Sequence, residues 1–130
     1  MNLTKNNKFC GLHEFLPNNT GKRTIEDGLR INKKLKQSDT KSCLVSIVTC
    51  CKNSERTIER CIKSVISQTY NNIEHIIIDG CSSDNTNKLI HKFINHIDYH
   101  ISEPDSGIYE AMNKGISLAK GDYILILNSD

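Results

Sequence analysis

Hydrophobic positions divide the chain into two parts. Residues 1–42 are polar and irregular, with turn signals at Pro17-Asn-Asn-Thr-Gly21 and one short helical or extended piece near 25–35. From Cys43 the character changes, and strand and helix patterns alternate. Residues 43–49 are nearly continuous in Leu, Val and Ile, the pattern of a strand covered on both faces. Asn53 and Ser54 then offer a helix cap, and Glu55 suits a first helical turn. Ile58, Cys61, Ile62, Val65 and Ile66 follow at the spacing of one helical face. A second buried strand is predicted at 73–79. Asp84 caps a second helix with Leu89, Ile90, Phe93 and Ile94 inward. At 97–102 apolar Ile97, Tyr99 and Ile101 alternate with Asp98, His100 and Ser102, which predicts a half-exposed strand at a sheet edge. After a loop at 103–107, the positions Ile108, Ala111, Met112, Gly115, Ile116 and Ala119 repeat at helical spacing. Gly121 serves as the C-cap, and 123–127 is a wholly apolar fourth strand.

The order β-α-β-α-β-α-β, with the first two strands starting about 30 residues apart, is that of right-handed βαβ units. It predicts an α/β fold: a Rossmann-like parallel sheet with helices on both faces. Placing the alternating strand outside and the continuous ones inside gives the strand order 3-2-1-4. Strand four then lies at an edge with no charge or proline to protect it. Such an edge is an aggregation hazard unless covered. We therefore expect further protein, either a continuation or a partner, over 123–127.

The chain has 130 residues and ordinary globular composition, 37% hydrophobic and 25% charged, with no Trp and two Pro. No apolar run approaches a membrane span, and the N-terminus has no signal-peptide core. This points to a cytoplasmic protein, at most associated with the inner face of the membrane. Net charge is +2. It is uneven: residues 1–42 carry nine Lys/Arg against four Asp/Glu, and residues 43–130 carry eight against eleven. Without interleaved aromatics the basic part reads as a solubilising extension, not a nucleic-acid arm. The six cysteines form no C-x-x-C and share no zinc-like spacing with histidine, so free thiols are expected.

In such sheets ligands bind beyond the carboxyl ends of the strands. Four segments meet there: 49–54, 79–84, 103–107 and 128–130. A dinucleotide fingerprint and a Walker loop are both absent. The chemistry that remains is acidic, with Asp79, Asp105 and Asp130 at strand ends. Carboxylates there suit hydroxyl recognition and a hard divalent cation, which could neutralise a diphosphate leaving group.

Residues 43–130 resemble the N-terminal half of family 2 glycosyltransferases. The resemblance runs through Val45-Ser-Ile-Val-Thr49, the helix to Tyr70, Ile73-Glu-His-Ile-Ile-Ile-Asp-Gly80, and Gly121-Asp-Tyr-Ile-Leu-Ile-Leu-Asn-Ser-Asp130. Its most specific part is E-P-D-x-G-I-Y-x-A-M-N-K-G at 103–115. The match is similar to the subgroup that builds bacterial capsule, exopolysaccharide or lipopolysaccharide. Gly28-Leu-Arg30 also resembles a segment preceding the fold in that subgroup.

The resemblance implies the GT-A fold, truncated after strand four. Residues 1–42 would be an N-terminal extension and 43–130 the nucleotide-sugar-binding half. It implies an inverting, hexosyltransferase-type transfer from a nucleotide diphospho-sugar to a hydroxyl of a saccharide or lipid-linked acceptor, with Mg²⁺ or Mn²⁺. It places Thr49, Cys50, Lys52, Asn53, Asp79, Asp105, Gly107, Asn113 and Asn128 at the donor. Asp130 takes the metal-ligand position, in a D-x-D motif that here begins with Asn128. Cys50 and Lys52 replace a common Pro and aromatic residue, and Asp79-Gly80 replaces an acidic pair. The catalytic base is expected beyond Asp130, so the chain alone is expected to be inactive. The alternative is a non-catalytic nucleotide-binding or partner-dependent module.

Overall fold

The structure, a computed structural model, describes residues 13–17 and 21–130; Cys10 and most of the turn signal at 17–21 lie outside the described residues. Five strands form one sheet: β1 (Ile25–Asp27), β2 (Val45–Cys51), β3 (Ile73–Asp79), β4 (Tyr99–Ser102) and β5 (Tyr123–Asn128). Their order is β1-β4-β3-β2-β5, parallel throughout except for β1, which runs antiparallel to β4. The four strands read from the pattern thus stand in the expected order. Helices α1 (Ile58–Ile66) and α2 (Thr86–His91) cover one face, and α3 (Ile108–Leu118) covers the other.

Alternate residues of the central strands feed two cores, which is why those strands read as unbroken apolar runs. Val48, Cys50, Ile76 and Ile78 meet Ala111, Leu118 and Ala119 on the α3 side. Cys51 and Ile77 meet Ile58, Ile62, Ile90 and Ile97 on the other. Gly115 lets α3 approach β2 closely, since a Cβ there would lie 2.1 Å from Val48 Cγ1.

Three parts of the pattern turned out differently, the first being that α3 ends at Leu118 with Ala119, not Gly121, as its C-cap. The β4 strand is neither half-exposed nor an edge: all four residues are buried. Its polar positions face protein instead of water. His100 Nδ1 lies 2.8 Å from Asp27 and its Nε2 lies 3.1 Å from Asn87, while the Ser102 hydroxyl donates to Asp79. The covering strand is β1, with Ile25 opposite Ser102 and Asp27 opposite His100. On α3 the buried stripe is Ala111, Gly115 and Leu118, and this leaves Ile108 and Ile116 exposed. The expected open edge is present at β5, where Tyr123 is 65% and Leu125 50% exposed.

The segment before β2 is tied to the sheet by charge. Arg30, in a 3-10 turn at Leu29–Asn32, pairs with Glu74 at 2.7 Å, and both side chains are buried. The guanidinium also donates to the Leu118 carbonyl at 2.9 Å and lies over the Tyr99 ring. Glu74 accepts in turn from Ser46 Oγ and the Lys120 amide. Lys36 donates to the Ile73 carbonyl and to Asp98. Gly28, at φ 114°, packs so tightly on the Asp98 carbonyl that a Cβ would lie 2.7 Å from it. Among the described residues no helix is long and apolar enough to cross a membrane.

Candidate functional site

The carboxyl ends of β2 and β5 and the N-terminal turn of α3 enclose a cleft of about 740 Å³. Its floor is the end of β2. Cys50 and Cys51 are buried there, and Lys52 beyond them is exposed along the wall. Burial, with Asp105 close by, pushes the Cys50 thiol up to about 11. It is therefore a neutral thiol, not a nucleophile. Asn53 turns the chain at φ 50°. Its amide N–H donates to Ser82 Oγ at 2.7 Å and its side-chain oxygen accepts from the Ser83 amide at 2.9 Å. Asn53 thus fastens the first loop to the second.

Asp79, at the end of β3, is completely buried. Its carboxylate accepts from the Ser82 amide and hydroxyl, from Asn87 Nδ2 at 2.9 Å and from Ser102 Oγ at 2.5 Å, and Cys51 Sγ lies 3.6 Å away. Burial acts to raise its pKa, but the hydrogen bonds from Ser102, Ser82 and Asn87 outweigh this and hold it below the usual carboxylate range. Its acceptor capacity organises the loops around it.

The third loop carries Asp105 and Gly107. Glu103 anchors it, accepting from Arg23 Nε at 2.9 Å and pairing with Lys114 Nζ at 2.8 Å. Asp105 Oδ1 accepts the Gly107 amide at 3.0 Å. Gly107, at φ 134°, starts α3, a backbone conformation suited to glycine. Ser106 donates through its amide and hydroxyl to Glu110, which these bonds and Lys114 lower to about 2. At the end of β5, Ser129 is buried with its hydroxyl 3.0 Å from Ser54 Oγ, while Asn128 and Asp130 on either side are exposed.

The cleft thus brings together Cys50, Lys52, Asp105, Gly107, Asn128 and Asp130. The other sequence candidates do not line it. Thr49 is buried on the α1 side, with its hydroxyl 3.0 Å from His75 Nε2 and 3.9 Å from Cys61 Sγ. Asn53 and Asp79 brace the loops, and Asn113 is exposed on α3. Residue-level reading missed Ser54, Tyr109 and Met112 in the lining. Tyr109, 79% exposed, falls inside the most specific motif of the chain. An aromatic at a helix start facing water was the available signal.

One wall offers an exposed cation in Lys52, and the lining offers carboxylates in Asp105 and Asp130. Among the described residues no three His, Cys, Asp or Glu side chains converge into a protein-only metal cage. Asp130 with the Asn128 amide is a hard oxygen donor set. It suits a divalent ion that takes its remaining ligands from phosphates and water.

Comparison with known proteins gives this geometry a family. The chain is 37% identical over 90 residues to the glycosyltransferase GlyG of Streptococcus pneumoniae, covering 67% of this chain and 30% of GlyG. It is 36% identical over 91 residues to TuaG of Bacillus subtilis, a putative teichuronic acid biosynthesis glycosyltransferase, covering 67% and 36%. It thus spans about a third of the length of these curated relatives. Among solved structures it superposes on the mannosyltransferase PcManGT of Pyrobaculum calidifontis, a complex with GDP-mannose and Mn²⁺. The TM-score is 0.65 at 20% identity, over 78% of this chain and 32% of that one. The fold is therefore GT-A. The pattern of glycosyl transferase family 2 matches residues 46–130, and the chain belongs to that family.

Proposed function

We propose that this chain is the donor-binding part of an inverting glycosyltransferase that moves a hexose from a nucleotide diphospho-sugar to an acceptor hydroxyl in surface polysaccharide biosynthesis, on the cytoplasmic side. The observation that carries the reading is the cleft at the carboxyl ends of β2 and β5, with Lys52 and Asp130 on its walls. Lys52 meets a phosphate. Asp130 and Asn128 would hold Mg²⁺ or Mn²⁺, which would supply charge neutralisation to a diphosphate leaving group. Gly107 leaves the start of α3 without a side chain beside the donor. Asp79 and Asn53 act by fixing the loops, and Asn113 and Thr49 support the site from outside it.

Relatives about twice as long as this chain, of which it matches about a third, frame what it does alone. The acceptor-binding surface and the group that deprotonates the acceptor hydroxyl belong, on this reading, to protein that covers the β5 edge. The groove beside that edge, about 360 Å³ between Val45, Ile47, Leu125 and Leu127, is its seat. Acceptors are a saccharide or a lipid-linked saccharide. The 130 residues are expected to bind donor without turning it over.

Calorimetric titration with UDP-, GDP- and dTDP-sugars, with and without Mn²⁺, tests this. The expected result is binding of at least one donor that is strengthened by Mn²⁺, with the Mn²⁺ effect lost in Asp130→Ala. Failure of every donor to bind would overturn the reading. Sugar transfer by the 130 residues alone would overturn the assignment of the base elsewhere.

A further inference from the structure

The sheet releases β5 before its last acidic residue. The final ladder pair of β5 is Asn128 opposite Cys50, so Asp130 lies two residues beyond the paired strand. Two side chains from neighbouring segments reach that stretch. Cys61 Sγ on α1 donates to the Asn128 carbonyl at 3.5 Å, and burial keeps that thiol protonated. The Ser129 hydroxyl lies 3.0 Å from Ser54 Oγ in the first loop.

The polarity of the second contact follows from a proton count. A serine hydroxyl has one proton to give. That of Ser54 goes to the Lys52 carbonyl at 3.4 Å, so the proton between the two hydroxyls is that of Ser129. A chain of donors therefore runs from Ser129 through Ser54 to the backbone of Lys52. Ser54 is itself fixed, its amide donating to Thr86 Oγ1 at 2.8 Å. Ser54 and Ser129 both line the cleft, but their hydroxyls are engaged with each other. Successive side chains along a strand point to opposite faces. With Ser129 turned inward at 9% exposure, Asn128 and Asp130 stand exposed on either side of it.

Resting on the donor-site reading above, we infer that Ser54 and Ser129 are positioning residues. Their hydrogen bond latches the end of β5 to the first loop and sets Asn128 and Asp130 in register with Lys52, so that a divalent ion and a phosphate are received together. Without the latch, the stretch bearing Asp130 must be ordered when the ion binds, and that ordering is subtracted from affinity.

The test is Mn²⁺ binding to the 130-residue chain, read from the electron paramagnetic resonance of free Mn²⁺ in the presence of UDP or GDP. Calorimetry of each nucleotide without metal runs alongside, with melting temperatures as a fold check. Ser129→Ala and Ser54→Ala should each weaken Mn²⁺ binding roughly threefold to tenfold, the worth of one hydrogen bond. The double variant should weaken it no further, because the same bond is lost in all three. Nucleotide affinity without metal should stay within about twofold of wild type. Ser54→Thr, which keeps the hydroxyl, should restore Mn²⁺ binding. Additive losses, unchanged Mn²⁺ affinity in either single variant, or failure of the threonine to restore it would overturn the inference. So would an equal loss of metal-free nucleotide binding, which would make the hydroxyls ligand contacts. In each of these cases the wild-type chain still binds Mn²⁺ and the donor-site reading stands. A wild-type chain whose nucleotide binding is indifferent to Mn²⁺, or whose Mn²⁺ binding survives Asp130→Ala, removes both.

Discussion

Residue types name a chemistry, and their surroundings decide whether it is used. Cys50, Cys51 and Cys61 lie under or beside the cleft, and burial raises all three thiols, with Asp105 adding to the effect on Cys50 and Asp79 to that on Cys51. Cys43 and Cys81 are exposed. A thiol-alkylating reagent at about pH 8 should therefore modify Cys43 and Cys81 in the native chain and spare the three buried thiols. Peptide mass spectrometry reads this directly, and rapid labelling of Cys50 would contradict it. His75 carries a second prediction. Burial, aided by Lys36, lowers it to about 4, and its Nδ1 has no partner. A histidine depressed in the folded state binds its proton more readily once unfolded. Stability should be complete above about pH 6.5 and fall by about 3 kcal/mol on going down to pH 4. Asp98, which burial holds above its ordinary value, works in the opposite sense just above pH 3.8. The urea midpoint of His75→Leu, measured across that range, isolates the histidine contribution. The sequence located Asp79 at a strand end but not its saturation by Ser82, Asn87 and Ser102. Those partners come from two other segments, and no local pattern records them.

At the scale of elements, periodicity identified what is repeated and failed where polar groups are buried in pairs. The αβ alternation, β3 and the order of the four parallel strands were legible because both cores impose unbroken apolar runs. The burial of β4 was not. Its alternating His100 and Ser102 look like a solvent face, and only the strand around Glu26 and Asp27, three residues long, turns them inward. So short a strand carries almost no periodic signal. Packing of α3 gives a testable number. Gly115→Ala should destabilise by about 1–3 kcal/mol through the clash with Val48. Val48→Ala in the same chain should recover much of that, a coupling measurable by a double-mutant cycle in urea. The Arg30–Glu74 pair is a harsher case. Glu74→Leu strands a buried guanidinium and should cost about 3–5 kcal/mol, whereas Glu74→Leu with Arg30→Met should return most of it.

For the molecule as a whole, the two sides of the sheet are unequal. One flank is closed by β1 and its charges; the other ends in Tyr123 and Leu125 facing water. An unpaired apolar edge seeks a strand. Concentrated solutions of these 130 residues should self-associate, and Leu125→Lys should shift light scattering toward monomer while leaving nucleotide binding unchanged. The sequence announced this edge, because a strand without charge or proline is visible as such. The closed flank also has a consequence in time. β1 pairs with residues about 75 positions later, so during synthesis it waits for β4 to emerge. Closing so long a loop is slow. Until it closes, Arg23 cannot reach Glu103 and the loop bearing Asp105 stays unbraced. A segment made before the rest of the sheet is thus among the last to lock, and maturation of the cleft is tied to the closure of β1 on β4.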